Sequence, residues 1–216
     1  RISQQLMIDS LSLLSVLRNE IQIEGFDTTT IVAMFIPNTY EVYWNISINN
    51  LLDRMKKEYN RFWNKTRISK AEILGLSPLQ VSILASIVEE EATYADEYPI
   101  VAGLYINRLK RGMRLEADPT VKYALGNFSL QRILFKHLEV ESPYNTYQNS
   151  GLPPGPIRIP SISAIDATLS PTSHKYLFMC AKEDLSGRHN FSTTHAEHAR
   201  NAARYQKALN ERKIYK

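Results

Sequence analysis

Hydrophobic positions along this chain recur mostly at helical spacing, and one segment is apolar nearly all the way round. In residues 77–93, SPLQVSILASIVEEEAT, the residues Leu79, Val81, Ile83, Leu84, Ala85, Ile87 and Val88 cover most of a helix circumference. They leave a narrow strip with Ser82 and Ser86, the pattern of a helix buried inside a domain. Its start is marked by Ser77, Pro78 and Gln80. The serine can cap the amide of residue 80, the glutamine can reach back, and proline suits the first turn. At about 100° per residue, Glu91 falls on the centre of the apolar arc, Glu89 beside the serine strip, and Glu90 near the arc's edge.

The remaining pattern predicts elements on both sides of that helix. Leu6, Met7, Leu11, Leu14, Val16 and Leu17 give a helical stripe that breaks at Gly25, and residues 28–30 can start a short helix. Residues 35–44 read as extended chain whose aromatics, Tyr40 and Trp44 among them, are either core or sugar platforms. Residues 48–64 form an amphipathic helix, with Leu51, Leu52, Met55, Tyr59, Phe62 and Trp63 on one side. Ser69 and Glu72 suggest a capping box for a short helix ending at Gly75. Helices follow over 100–111, from the Asp118–Pro119 start to Gly126, and as a connector over 127–141. Residues 142–157 hold four prolines and two glycines, an irregular loop. Ser161 caps a helix ending near Ser170. Residues 175–181 and 189–192 read as a hairpin, and Thr194 with Glu197 as the capping box of a last helix. The expected fold is α+β, mainly helical with a small sheet.

Three effects would raise the pKa of Glu91 if the central helix runs that far: burial, the like charges of Glu89 and Glu90, and the negative end of the helix dipole. A carboxylic acid kept protonated near neutral pH is what general acid catalysis requires. The plain alternative is a solvated acidic helix end.

Composition narrows the classes. With 216 residues, 44% hydrophobic and 22% charged, the chain suits a globular core. The net charge of +4 is mild and lies largely in the last twenty residues, whereas a nucleic-acid binder concentrates more charge on one face. No apolar run approaches the roughly 20 residues needed to cross a bilayer, and no signal peptide is visible, so the chain reads as a piece of a longer protein. Cys180 is single and forms no internal disulfide, and its apolar surroundings place it in a strand. His189, His195 and His198 match no established zinc spacing; no metal or cofactor is expected. His195 and His198 are placed instead as candidates for the substrate groove.

Three blocks carry a family resemblance: LASIVEEEA at 84–92, INRLKRGMRLEADPTVKYALG at 106–126, and SPYNTYQNSGLPPGPI at 142–157. They resemble the signatures of the YceG-like family, the MltG-type endolytic peptidoglycan transglycosylases, in order from about Phe35 to the C-terminus. The resemblance implies a catalytic domain over 35–216 and, over 1–34, the later part of a LysM-like subdomain that holds glycan. It implies that Glu91 is catalytic, as the last acid of the family's A-S-I-V-E-x-E block. Glu90 departs from the pattern, because a basic residue is common there.

The resemblance also nominates a substrate set. Arg108 could hold a carboxylate or acetamido carbonyl of the substrate, or a neighbouring glutamate, or simply favour a helix end. Arg114 could meet the peptide-bearing lactyl group. Asp118 is either the cap of its helix or a second carboxylate facing Glu91, with Glu116 a weaker candidate. Tyr144, Asn145 and Tyr147 line a sugar groove or bond their own loop. The implied reaction is cleavage of the MurNAc–GlcNAc bond without water, giving 1,6-anhydroMurNAc ends. Peptidoglycan strands are the implied partner, with synthases of the elongation machinery possible. The implied location is the outer side of the cytoplasmic (inner) membrane, on a single N-terminal anchor. A lysozyme-like hydrolase and a non-catalytic wall-binding module are the rival readings.

Overall fold

The computed structural model describes residues 4–19, 23–130 and 133–212. Among them are eight α-helices and one antiparallel pair of strands, so the fold is α+β. In chain order the helices are α1 Ser10–Asn19, α2 Ile48–Phe62, α3 Lys65–Leu74, α4 Pro78–Glu91, α5 Tyr98–Lys110, α6 Asp118–Leu125, α7 Ile162–Thr168 and α8 His195–Glu211. Strands β1 Phe178–Ala181 and β2 His189–Ser192 pair with Phe178 opposite Ser192 and Ala181 opposite His189.

The chain is built around α4. Every residue from Val81 to Val88 is buried. Its start carries the reciprocal cap expected from the sequence: the Gln80 amide donates to Ser77 Oγ at 3.2 Å, and the Ser77 amide to Gln80 Oε1 at 2.8 Å. The buried Ser86 hydroxyl donates to Ile83 O and accepts from the Ile157 amide at 3.0 Å, which ties the proline-rich loop to the helix. Helices α5, α6 and α7 pack around α4. Segment 172–176 then crosses α5 at Gly103, where a Cβ would lie 2.5 Å from Thr172 O; only glycine allows that approach. Asn107 holds the same segment through His174 O and Tyr176 O, and this delivers the chain to β1.

A smaller cluster joins Ile8 and Leu13 to Ile31, Met34, Leu51, Leu52 and Met55. Here the sequence reading needs correction. In α1 only Leu13 is buried, while Leu11 (74%) and Leu14 (40%) are exposed. With leucines at 11, 13, 14 and 17, two apolar faces compete, and the packing against α2 selects the one through Leu13. Tyr43 and Trp44 are exposed rather than core, and residues 35–44 form no strand. The cap of α3 is Asn64, whose side chain accepts from the Arg67 amide, so Ser69 lies within the helix. The connector over 127–141 holds only a single 3-10 turn at Phe135–His137 among its described residues. No single described helix is long and apolar enough to cross a membrane.

Candidate active site

The last turn of α4 sends its three glutamates to different fates. Glu89 accepts the Ser161 amide at 2.7 Å, just where α7 begins. Glu90 pairs with Arg158 at 2.6 Å, and Glu89 lies 3.7 Å from the same guanidinium. Glu91 turns the other way. Its Oε2 is buried and has no hydrogen-bond partner. Burial pushes its carboxyl up to about 8, and the Asp118 carboxylate adds to the rise. The Tyr105 hydroxyl, Lys122 and Arg108 oppose it more weakly. The neighbouring anion is therefore Asp118 and not Glu89 or Glu90, whose side chains are engaged with Arg158 and Ser161.

Asp118 starts α6 but does not cap it. The residue before the helix is Ala117, which cannot cap. Its amide donates instead to Thr146 Oγ1 at 3.0 Å, and Thr146 is bonded in turn to Thr120. The Asp118 side chain, one position inside the helix, accepts the Tyr147 hydroxyl at 2.6 Å. Burial and this anion raise the Tyr147 phenol far above its ordinary value, so it stays a donor.

Arg108 is buried, and its Nε and Nη1 donate to the protein: Nε to Leu177 O at 2.7 Å, and Nη1 to Arg114 O at 2.9 Å, Leu115 O at 2.8 Å and Glu116 Oε2 at 3.0 Å. It fixes the turn that carries Glu116 at a φ of 51°, a costly conformation for a non-glycine residue. That turn sets the start of α6 and so the direction of Asp118.

Between these residues and the hairpin lies an open groove of about 760 Å³. Glu91, Tyr105, Arg108, Glu116, Asp118 and Tyr147 form one wall; residues 177–181, with His189, His195, His198 and Tyr205, form the other. Of the residues nominated from the sequence, Glu91, Arg108, Glu116, Asp118, Tyr147, His195 and His198 thus line one groove. Arg114 is exposed and donates to Tyr147 O at 2.9 Å. Asn145 is buried and spans Leu138 O and Val140 O, and Tyr144 packs beside Tyr123 of α6.

Three further participants, Tyr105, Glu97 and Phe178, lie outside the residues nominated from the sequence. Tyr105 lies fully inside α5 beneath Glu91. Its position among the apolar residues of α5 was the available signal. Glu97 is buried and takes both the His189 amide, at 3.1 Å, and its ring Nδ1, at 2.9 Å. No local pattern announces a pair 92 residues apart. The Phe178 ring stacks on His198 at 5.5 Å, and burial lowers the His198 pKa. Among the described residues, no three His, Cys, Asp or Glu side chains come together as a metal site.

The sequence model of the YceG-like family matches residues 1–204. This chain belongs to the YceG-like family. It is 37% identical over 166 residues to a Bacillus subtilis protein named endolytic murein transglycosylase, covering 77% of this chain and 45% of that protein. A protein of the same name from Streptococcus pneumoniae (strain D39) is 30% identical over 173 residues, covering 78% of this chain and 31% of that one. The fold is similar to the crystal structure of a YceG-like protein from Listeria monocytogenes, with a TM-score of 0.76, 30% identity, and coverage of 92% of this chain and 69% of that one. The chain thus spans less than half the length of these curated relatives.

Proposed function

We propose that this family member is a lytic transglycosylase that cleaves the MurNAc–GlcNAc bond within peptidoglycan strands, with Glu91 as the acid and then the base. The observation that carries the proposal is the buried, unpartnered Oε2 of Glu91 at the wall of an open groove. A carboxyl with its pKa near 8 is protonated at neutral pH and can give its proton to the leaving glycosidic oxygen. The carboxylate so formed, with Asp118 nearby, is a strong enough base to take the proton of the MurNAc C6 hydroxyl. That oxygen then closes on C1 and gives the 1,6-anhydro end. Tyr147 and Tyr105 orient the carboxylates, and the chemistry consumes neither water nor a cofactor.

The names of the relatives support the activity. The family resemblance supports the rest: a LysM-like remainder over 1–34 that holds glycan, an N-terminal membrane anchor with the catalytic region on its outer side, and work alongside peptidoglycan synthases.

The test is mass spectrometry of the ends released from purified peptidoglycan by the parent and by Glu91→Gln. Anhydro ends made by the parent and lost in the variant are the expected result. The Asp118 carboxylate close to Glu91 favours one rival, a hydrolase that activates a water. Reducing ends from the parent would select it.

A further inference from the structure

A second cleft adjoins the groove. The last turn of α4 gives Glu91 to the groove and Glu90 to this cleft; the first turn of α6 gives Asp118 to the groove and Pro119 to the cleft. The two spaces therefore share two walls. The cleft measures about 570 Å³, and Lys122, Tyr123, Phe128, Ile157 and Ile159 complete it, with Arg158 at the edge.

We propose that this cleft binds the carboxylate-bearing stem peptide carried by the sugar at the cleavage point, a proposal that rests on the peptidoglycan reading above. Its chemistry differs from that of the groove. Arg158 is already neutralised by Glu89 and Glu90. Lys122 has no ion pair among the described residues, which leaves one ammonium beside an apolar surface. Phe128 is 69% exposed and stands edge-on to Tyr123 at 6.3 Å, and Ile159 is 42% exposed. Neutral sugars call for many hydrogen-bonding side chains. An apolar floor of aromatic and aliphatic side chains with a single unpaired cation instead fits a short peptide with methyl side chains and a free carboxylate. In peptidoglycan that peptide hangs from the lactyl group of the MurNAc ring whose C1 is attacked. A space one helix position away from the acid is where it would lie.

The experiment compares glycan strands with intact stems against strands stripped by an amidase, and reads the ratio between them. Lys122 also favours the charged form of Glu91. A change acting through Glu91 alters both substrates alike and cancels in that ratio. The parent is expected to prefer intact strands, with Lys122→Met lowering the preference about tenfold and the exposed Phe128→Ala lowering it about threefold. A parent without preference, or variants that keep the parent's ratio, would overturn the proposal. Binding of both strands to Glu91→Gln, which does not turn over, separates this reading from the reaction. A binding preference that depends on Lys122, with no anhydro ends from the parent, would uphold the subsite and sink the lyase. Anhydro ends with no binding preference would do the reverse.

Discussion

The two sides of the last turn of α4 are built from the same residue type and end in opposite physical states. On the α7 side, Glu89 receives an amide, Glu90 a guanidinium, and Ser86 binds the loop at Ile157. Each polar atom used there has a partner, so that side holds the fold together. On the α6 side, Glu91 is buried with an oxygen that has none, beside a second carboxylate. That arrangement works against stability and stores a proton. The contrast shows that sequence spacing aims a side chain, and that segments far along the chain decide whether it becomes a strut or a reagent.

The largest expected effect breaks the contrast from the groove side. Glu91→Gln keeps the shape but cannot exchange a proton, so anhydro-end formation should fall by about 10³-fold or more. Its stability should move the other way. Above pH 4.5 the unfolded chain releases this proton while the folded chain keeps it, so stability falls with rising pH up to about 8 and is level beyond. The parent should lose on the order of 4 kcal/mol across that range through this group. Urea unfolding from pH 5 to 9 should show that slope in the parent and not in the variant.

On the other side the pattern inverts. Ser86→Ala leaves the Ile157 amide buried without an acceptor and should cost about 2 kcal/mol. Glu89→Gln keeps an oxygen for the Ser161 amide but loses its charge, and should cost about 1 kcal/mol. Thermal melts check both. Glu89→Gln should still give anhydro ends at near the parental rate. If it abolished them, the two sides would not be separable.

What was legible in the sequence is what local chain geometry decides. The Ser77–Gln80 box, the apolar phase of α4 and the αL stops at Gly75 and Gly126 are each contained within a few residues, and each appears as read. The direction of Glu91 follows from the same phase. The causes acting on it do not, because Asp118, Tyr147 and Tyr105 arrive through tertiary packing. Asp118 read as a cap because Asp before Pro commonly is one; the N-cap position falls on Ala117, and the Asp118 carboxylate accepts the Tyr147 hydroxyl instead. The bonds from Arg108 to the carbonyls of Leu115 and Leu177 were not legible, because a backbone oxygen has no distinguishing side chain to reveal it.

The smallest predicted effect sharpens the comparison most. Asp118→Asn removes the anion beside Glu91 and keeps an oxygen for the Tyr147 hydroxyl. With that repulsion gone, the Glu91 carboxyl should lose its proton at lower pH, so the alkaline limb of the pH–rate profile should move down. The stability slope assigned to Glu91 should end at correspondingly lower pH, and unfolding curves can check this independently of any substrate. A one-glutamate transglycosylase should keep its rate at the new optimum within about tenfold, because the attacking hydroxyl belongs to the substrate. A hydrolase that needs Asp118 to activate water should lose roughly 10²-fold or more at every pH. A shifted limb with the maximum retained would make Asp118 the residue that tunes the acid; collapse at every pH would make it a second catalytic group.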